Sequence, residues 1–317
     1  MVRKLLSLTA LKIALLALLL WPATIANAQV TGSNDPLVHK VRVKGATLTV
    51  RFSSLPEPAA RKAMLDWTKR SANAVALYYG HFPLRSARIF INPFSGRGVR
   101  GGTAYGGTKP RIVISAGTDS SARDFANDWR MVHEMIHLAF PMIDQRHSWM
   151  TEGLAVYVES IARLQASDLD EATVWKGFID GMEKGLPRAG DRGLDNTPTW
   201  GRTYWGGAIF CLVADLEIRK QTDGKKTLQD ALRAVIKAGG DHRTYWSLTK
   251  ALAAGDSATG TTVLVDLYEA WRATPVDPEL PKLWKRLGIE DKGRSVSFDD
   301  TADLAVTRKA IGKPATH

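Results

Sequence analysis

"VHEMIHLAF", residues 132–140, sets two histidines around a glutamate inside an apolar run, and its reading decides the rest of the chain. Val132, Met135, Ile136 and Phe140 recur at helical spacing. His133 and His137, four residues apart, therefore stand one turn above each other and can aim ring nitrogens at one metal ion. Glu134, one step round the helix, would sit beside the open coordination position as a general base rather than bind the metal. Pro141 ends the helix soon afterwards. The plain alternative is a pair of core histidines satisfied by hydrogen bonds.

A catalytic zinc site needs a third protein ligand and leaves one position for water. Glu152, in "HSWMTEGLAVYVES" (residues 147–160), opens another apolar-periodic helix. The intervening residues 138–151 are enough to turn and return that helix against the first. His133, His137 and Glu152 then form one ligand set for one zinc ion per chain.

The N-terminus places Arg3, Lys4 and Lys12 ahead of an apolar run from Ile13 to Trp21, then Pro22 and the small-residue pattern Ala26-Asn27-Ala28. This reads as a signal peptide over residues 1–28. The run falls short of the roughly 20 apolar residues of a membrane span, so no anchor is expected once the leader is cut. The expected location is periplasmic or secreted. Cys211 is the single cysteine of 317 residues, which excludes a disulfide framework. The net charge is +11, three of it in the leader, and the cations are scattered. Without a basic stripe or a recognisable motif, a nucleic-acid module is excluded. Scattered cations suit a solvated surface or an anionic cell-envelope polymer as partner.

Residues 38–53, "VHKVRVKGATLTVRFS", alternate about Gly45 as a strand pair, and residues 56–79 follow a helical pattern after a proline. "SARIFINPF" (86–94) and "RIVIS" (111–115) read as strands flanking a glycine-rich stretch. Helices are expected over 121–140, 150–164, 171–184, 204–220, 227–238 and 262–274. The domain plan is a strand-rich subdomain over 29–120, a zinc-binding helical subdomain over 121–291 and a polar, poorly ordered tail over 292–317, with 184–200 as the main internal loop.

"HEMIH" followed by "TEGLAVYVE" resembles the gluzincin metallopeptidases, in particular the catalytic region of the alanyl, leucyl and glycyl aminopeptidases. In that pattern the second glutamate binds zinc and is followed by glycine, an apolar-aromatic helix and an acidic residue seven positions on, as Glu152, Gly153, Tyr157 and Glu159 are here. The resemblance implies that Glu159 orients a zinc-binding histidine. "TYWGGAIFCLVADLEIR" (203–219) is similar to the segment that carries the family's oxyanion-donating tyrosine, which implies Tyr204 for that role; a packed aromatic at a helix start is the alternative. Where the family often has lysine, this chain has Gly206. The likeness runs from about residue 97 to 287.

The resemblance implies an α+β, thermolysin-like zincin with a mixed sheet and helix subdomain, an active-site helix and a helical C-terminal subdomain, acting on peptides or proteins. Two departures stand out. The interval from His137 to Glu152 is shorter than in the aminopeptidases. The glutamate that holds a substrate's free amine there has no counterpart, since no glutamate lies between Glu57 and Glu134; "RGGTAYGG" (100–107) instead offers main-chain groups as a substrate-binding edge strand. His147 is open between an oxyanion donor, a replacement ligand and a local hydrogen-bonding residue. Trp149, Trp200 and Trp205 read as core or cleft walls. The alternative from another class is an exported binding or structural protein that keeps a metal site only for stability.

Overall fold

The computed structural model describes residues 29–32 and 34–314. The leader read over 1–28 lies outside them. Among the described residues no helix is long and apolar enough to cross a membrane.

The first half is a six-stranded mixed sheet in the order β1-β2-β3-β4-β6-β5: β1 (Gln29–Gly32), β2 (Val38–Val43), β3 (Ala46–Phe52), β4 (Ser86–Phe94), β5 (Val99–Tyr105) and β6 (Arg111–Gly117). Gly45, at φ +84°, makes the tight β2–β3 turn that the alternation predicts. Between β3 and β4, which pair in parallel, the chain crosses over through α1 (Pro58–Tyr79), with Pro58 at its first turn and Gly80 closing it in the left-handed region. β6 runs parallel to β4, while β5 pairs antiparallel with β6 and leaves its other side free.

The second half is helical: α2 (Ala122–Asn127), α3 (Arg130–His137), α4 (Ser148–Gln165), α5 (Glu171–Met182), α6 (Gly207–Gln221), α7 (Leu228–Lys237), α8 (Leu248–Thr259), α9 (Val263–Trp271), α10 (Leu280–Arg286) and α11 (Ala305–Ile311). The helix expected over 121–140 is two. Asp128 takes an extended conformation and its carboxylate accepts from the Arg130 N–H, so the chain caps and restarts there. α8 has no counterpart in the sequence reading. The tail is also ordered: β7 (Ile289–Asp291) and β8 (Val296–Phe298) form a hairpin, and α11 follows. Ile311 and Ala305 are buried, and polar anchors add to them. The buried Arg308 donates to the Leu287 and Gly288 carbonyls and pairs with Glu171 and Asp300, which a search for apolar periodicity does not detect.

The halves share one core. α1 packs on α3, α4 and α7, and its Tyr78 carbonyl accepts from Arg233 Nε at 3.0 Å and from Gln229 of α7. α4 and α6 cross with backbone touching backbone. A β-carbon on Gly153 would lie 2.2 Å from Gly207 Cα, and one on Gly207 would lie 1.9 Å from the Trp149 carbonyl. Gly153→Ala is therefore expected to lower unfolding free energy by at least about 3 kcal/mol in urea titrations. Gly177→Ala, on an open face of α5, should raise it by about 0.5–1 kcal/mol. Equal responses would contradict the crossing.

Candidate active site

α3 is too short to persist alone. It is held because Met131, Val132, Met135 and Ile136 are fully buried between the sheet, α1 and α4. That packing turns His133, Glu134 and His137 toward the free edge of β5 and the start of α4. One potential ligand atom from each of His133, His137 and Glu152 falls within 4.8 Å of the others. His133 Nε2 is 3.2 Å and His137 Nε2 3.6 Å from Glu152 Oε2.

The donor set fits a divalent cation. Burial favours the neutral, ligating form of His133 by lowering its pKa. Burial would raise Glu152, but hydrogen bonds and charge from both histidines hold it well below the usual carboxylate range. His137 is opposed by burial yet raised by Glu152 and Glu134, so the cluster draws positive charge to the spot where a cation would stand. Two imidazoles and a carboxylate are a zinc donor set, and three ligands leave a position open.

Glu134 is separate from that triad. It packs on β5, where a β-carbon on Gly102 would lie 2.9 Å from Glu134 Cγ, so only glycine leaves room. Gly101, at φ +61°, precedes it at a bulge in the β5–β6 register. Burial raises the Glu134 carboxyl, while His137 and the Ala104 backbone at the strand edge act to lower it.

Tyr204 arrives from the other side on a π-turn, Arg202–Gly206, that leads into α6. The Gly153–Gly207 contact sets this turn over Glu152. Burial and the neighbouring Glu152 carboxylate raise the pKa of the Tyr204 hydroxyl. Its ring lies 6.3 Å from the His133 ring, nearly parallel, and 5.9 Å from Trp200.

These side chains line a cleft of about 650 Å³, walled by Gly101 to Ala104 on the strand side. Residues absent from the sequence reading also line it: Trp129, Met142, His242 and Tyr245. His242 sits 6.5 Å from His137, ring to ring, with Nδ1 3.4 Å from the Phe140 carbonyl. Its only signal in the sequence is a histidine among aromatics in "DHRTYW", 105 positions after His137.

His147 does not line the cleft. Its Nδ1 and the Trp149 Nε1 both lie 2.8 Å from Asp195 Oδ1, while Tyr268 donates to Oδ2 at 3.0 Å. Burial and Asp195 push Tyr268 up to about 12, so it remains a donor at ordinary pH. The local hydrogen-bonding reading of His147 is the one the geometry realises. Glu159 accepts from Ser160 and Arg163, not from a histidine, and Arg163 in turn grips the Ala126 carbonyl at the end of α2. His133 Nδ1 has no hydrogen-bond partner among the described residues. Trp149 is core, Trp205 packs on Gly181, and Trp200 is 61% exposed.

Asp195 thus fixes the start of α4, two turns before Tyr157 and one before Glu152. Asp195→Ala should cost about 3 kcal/mol by leaving buried donors unpaired, and Asp195→Asn, which keeps an acceptor, should cost less; thermal melts of the two variants check the order.

No protein-family model and no curated protein matches the chain. Solved structures do. An aminopeptidase N family protein from Idiomarina loihiensis superposes with a TM-score of 0.59 at 14% identity, over 80% of this chain and 49% of that one. An M1 zinc metallopeptidase variant from Deinococcus radiodurans, bound to a Tyr-Ser-Ala substrate, gives 0.52 at 16% identity, over 80% and 53%. The chain spans about half the length of these structures. At such identities the likeness is one of fold: a mixed sheet with packed helices, as in the M1 zinc metallopeptidases.

Proposed function

We propose that this chain is a zinc-dependent peptidase of gluzincin type, with a thermolysin-like arrangement of strand-rich and helical parts about the cleft. The observation that carries the reading is Glu134: a buried carboxylate seated on Gly102, beside three ligand atoms but outside their set. A metal kept only for stability has no use for it.

His133, His137 and Glu152 would hold the ion. Bound zinc would supply Lewis acidity and lower the pKa of a water to about 7. Glu134 takes the proton of the attacking water and returns it to the leaving amine, and the Tyr204 hydroxyl donates to the developing oxyanion. An extended peptide lies along the free side of β5, accepting and donating main-chain hydrogen bonds. The carboxylates lining the cleft among the described residues are Glu134, Asp144 and Glu152, and Asp144 caps the turn that follows it. Glu134 and Glu152 are taken by the roles above and Asp144 by its cap, which favours internal peptide segments over amino termini. The leader read in residues 1–28 supports export, and the surplus of cations supports anionic cell-envelope polymers as a setting.

Purified protein is expected to carry about one zinc per chain, lost in His137→Ala and Glu152→Ala. Glu134→Gln should keep the zinc and abolish cleavage of peptide libraries. Tyr204→Phe should keep the zinc and lower kcat by about 100-fold with little change in KM. Metal-free wild-type protein of intact fold would overturn the reading, and retained turnover in Glu134→Gln would overturn the base.

A further inference from the structure

A second cavity of about 620 Å³ abuts the cleft across the stacked pair Trp200 and Tyr204: Tyr204 lines one, Trp200 the other. It is formed by the loop between α5 and α6. That loop is held firmly, since Gly193 packs on the backbone of Ala273 and Thr274 and the N–H groups of Leu194 and Asp195 donate to the Trp271 and Arg272 carbonyls.

The cavity's charge is one-sided. Lys184, Arg188 and Arg202 line it against a single carboxylate, Asp191. Asp191 is taken up at 2.8 Å by Arg202 Nε, and its other oxygen accepts from the Gly193 N–H. Lys184 and Arg188 are exposed and have no ion-pair partner among the described residues. Arg202 is 4% exposed; its Nη1 donates to the Gly185 carbonyl, and its Nη2 has no partner among the described residues. Asp191 is engaged by Arg202, so the charge of Lys184 and Arg188 over the cavity is unanswered, and an arriving oxyanion answers it. Trp200 gives the passage between the two cavities an apolar floor.

On the peptidase reading of the neighbouring cleft, we propose that this cavity is a remote subsite for a carboxylate of the substrate peptide, either an acidic side chain or the C-terminus. At roughly 3.3 Å per extended residue, the Tyr204–Trp200 step alone takes up about two residues, so the recognised charge lies at least that far from the scissile bond. The recognised peptide carries its charge on the Trp200 side and enters the cleft past that ring.

The test uses zinc-loaded Glu134→Gln protein, so that binding is read without turnover. The probes are N-acetylated, C-amidated nonapeptides of Ala, Leu and Gln in which one Glu is stepped through every position, beside the neutral parent and the parent with a free C-terminal carboxylate. Tryptophan emission gives Kd. One Glu position, or the free C-terminus, is expected to bind at least about fivefold more tightly than the neutral parent. The gain should vanish in Lys184→Ala/Arg188→Ala, with the parent's Kd and the melting temperature unchanged. Inorganic phosphate should compete against the acidic peptide and not against the parent. A charge preference at no position, or one that survives in the double variant, overturns the subsite. Tight phosphate binding without acidic-peptide preference overturns it in favour of a free-anion site. Wild-type cleavage of the same peptides, followed by mass spectrometry, separates the two readings: cleavage indifferent to charge sinks the subsite alone, and charge-dependent binding with no cleavage sinks the peptidase alone.

Discussion

The contact on which the site depends is made without side chains. Gly153 and Gly207 let α4 and α6 cross at backbone distance, which no other residue pair would allow. Glu152 precedes Gly153 and Tyr204 sits one turn before Gly207, so the crossing places a carboxylate and a phenol on opposite lips of the same gap. The π-turn at Arg202–Gly206 carries Tyr204, which lines the cleft with Glu152. Precision here comes from packing of main chain, the stiffest part of the molecule, rather than from long polar side chains.

The opposite wall follows the same logic. Glu134 is buried, raised by that burial, and held by a strand that has given up a side chain to admit it. The apolar residues of α3, Met131, Val132, Met135 and Ile136, are locked in the core, so the carboxylate has little freedom to follow solvent. Two carboxylates and two imidazoles in one partly buried space would repel or desolvate each other unless a shared positive charge lies between them. The raised pKa of His137 beside the depressed one of Glu152 expresses that demand in protons.

The residues that could be read from sequence were those with local periodicity. His133, His137 and Glu152 each sit on an apolar helix, and a spacing rule finds them. The glycines of "RGGTAYGG" marked an edge strand, yet that Gly102 exists to seat Glu134 is a contact between residues 32 positions apart, which no local pattern encodes. Asp128 reads as one more helical polar residue until its carboxylate is seen capping the next helix. α8 is built of small residues, and Gly255 lets it settle on Leu264 and Ala231, so its burial leaves almost no hydrophobic stripe. The C-terminal segment is held by Ile311 and by a buried arginine, a residue type that sequence patterning assigns to the surface.

The short interval between His137 and Glu152 explains the residues that sequence reading missed. Residues 138–147 must reverse direction with little chain, ending in a single 3-10 turn at Gln145–His147. Their backbone groups find partners outside: Met142 bonds to the Thr244 carbonyl and accepts from the Trp246 N–H, and the Leu138 carbonyl accepts from the His242 N–H. The loop after α7 is thereby stitched along the return segment, and its tip meets the β5–β6 turn through the Gly107 N–H and the His242 carbonyl. A longer connection could satisfy its own hydrogen bonds and leave the cleft open at this end. A short one recruits distant chain, and the recruited loop brings His242 and Tyr245 to the cleft wall, so the shape of the cleft follows from the length of the connection between α3 and α4.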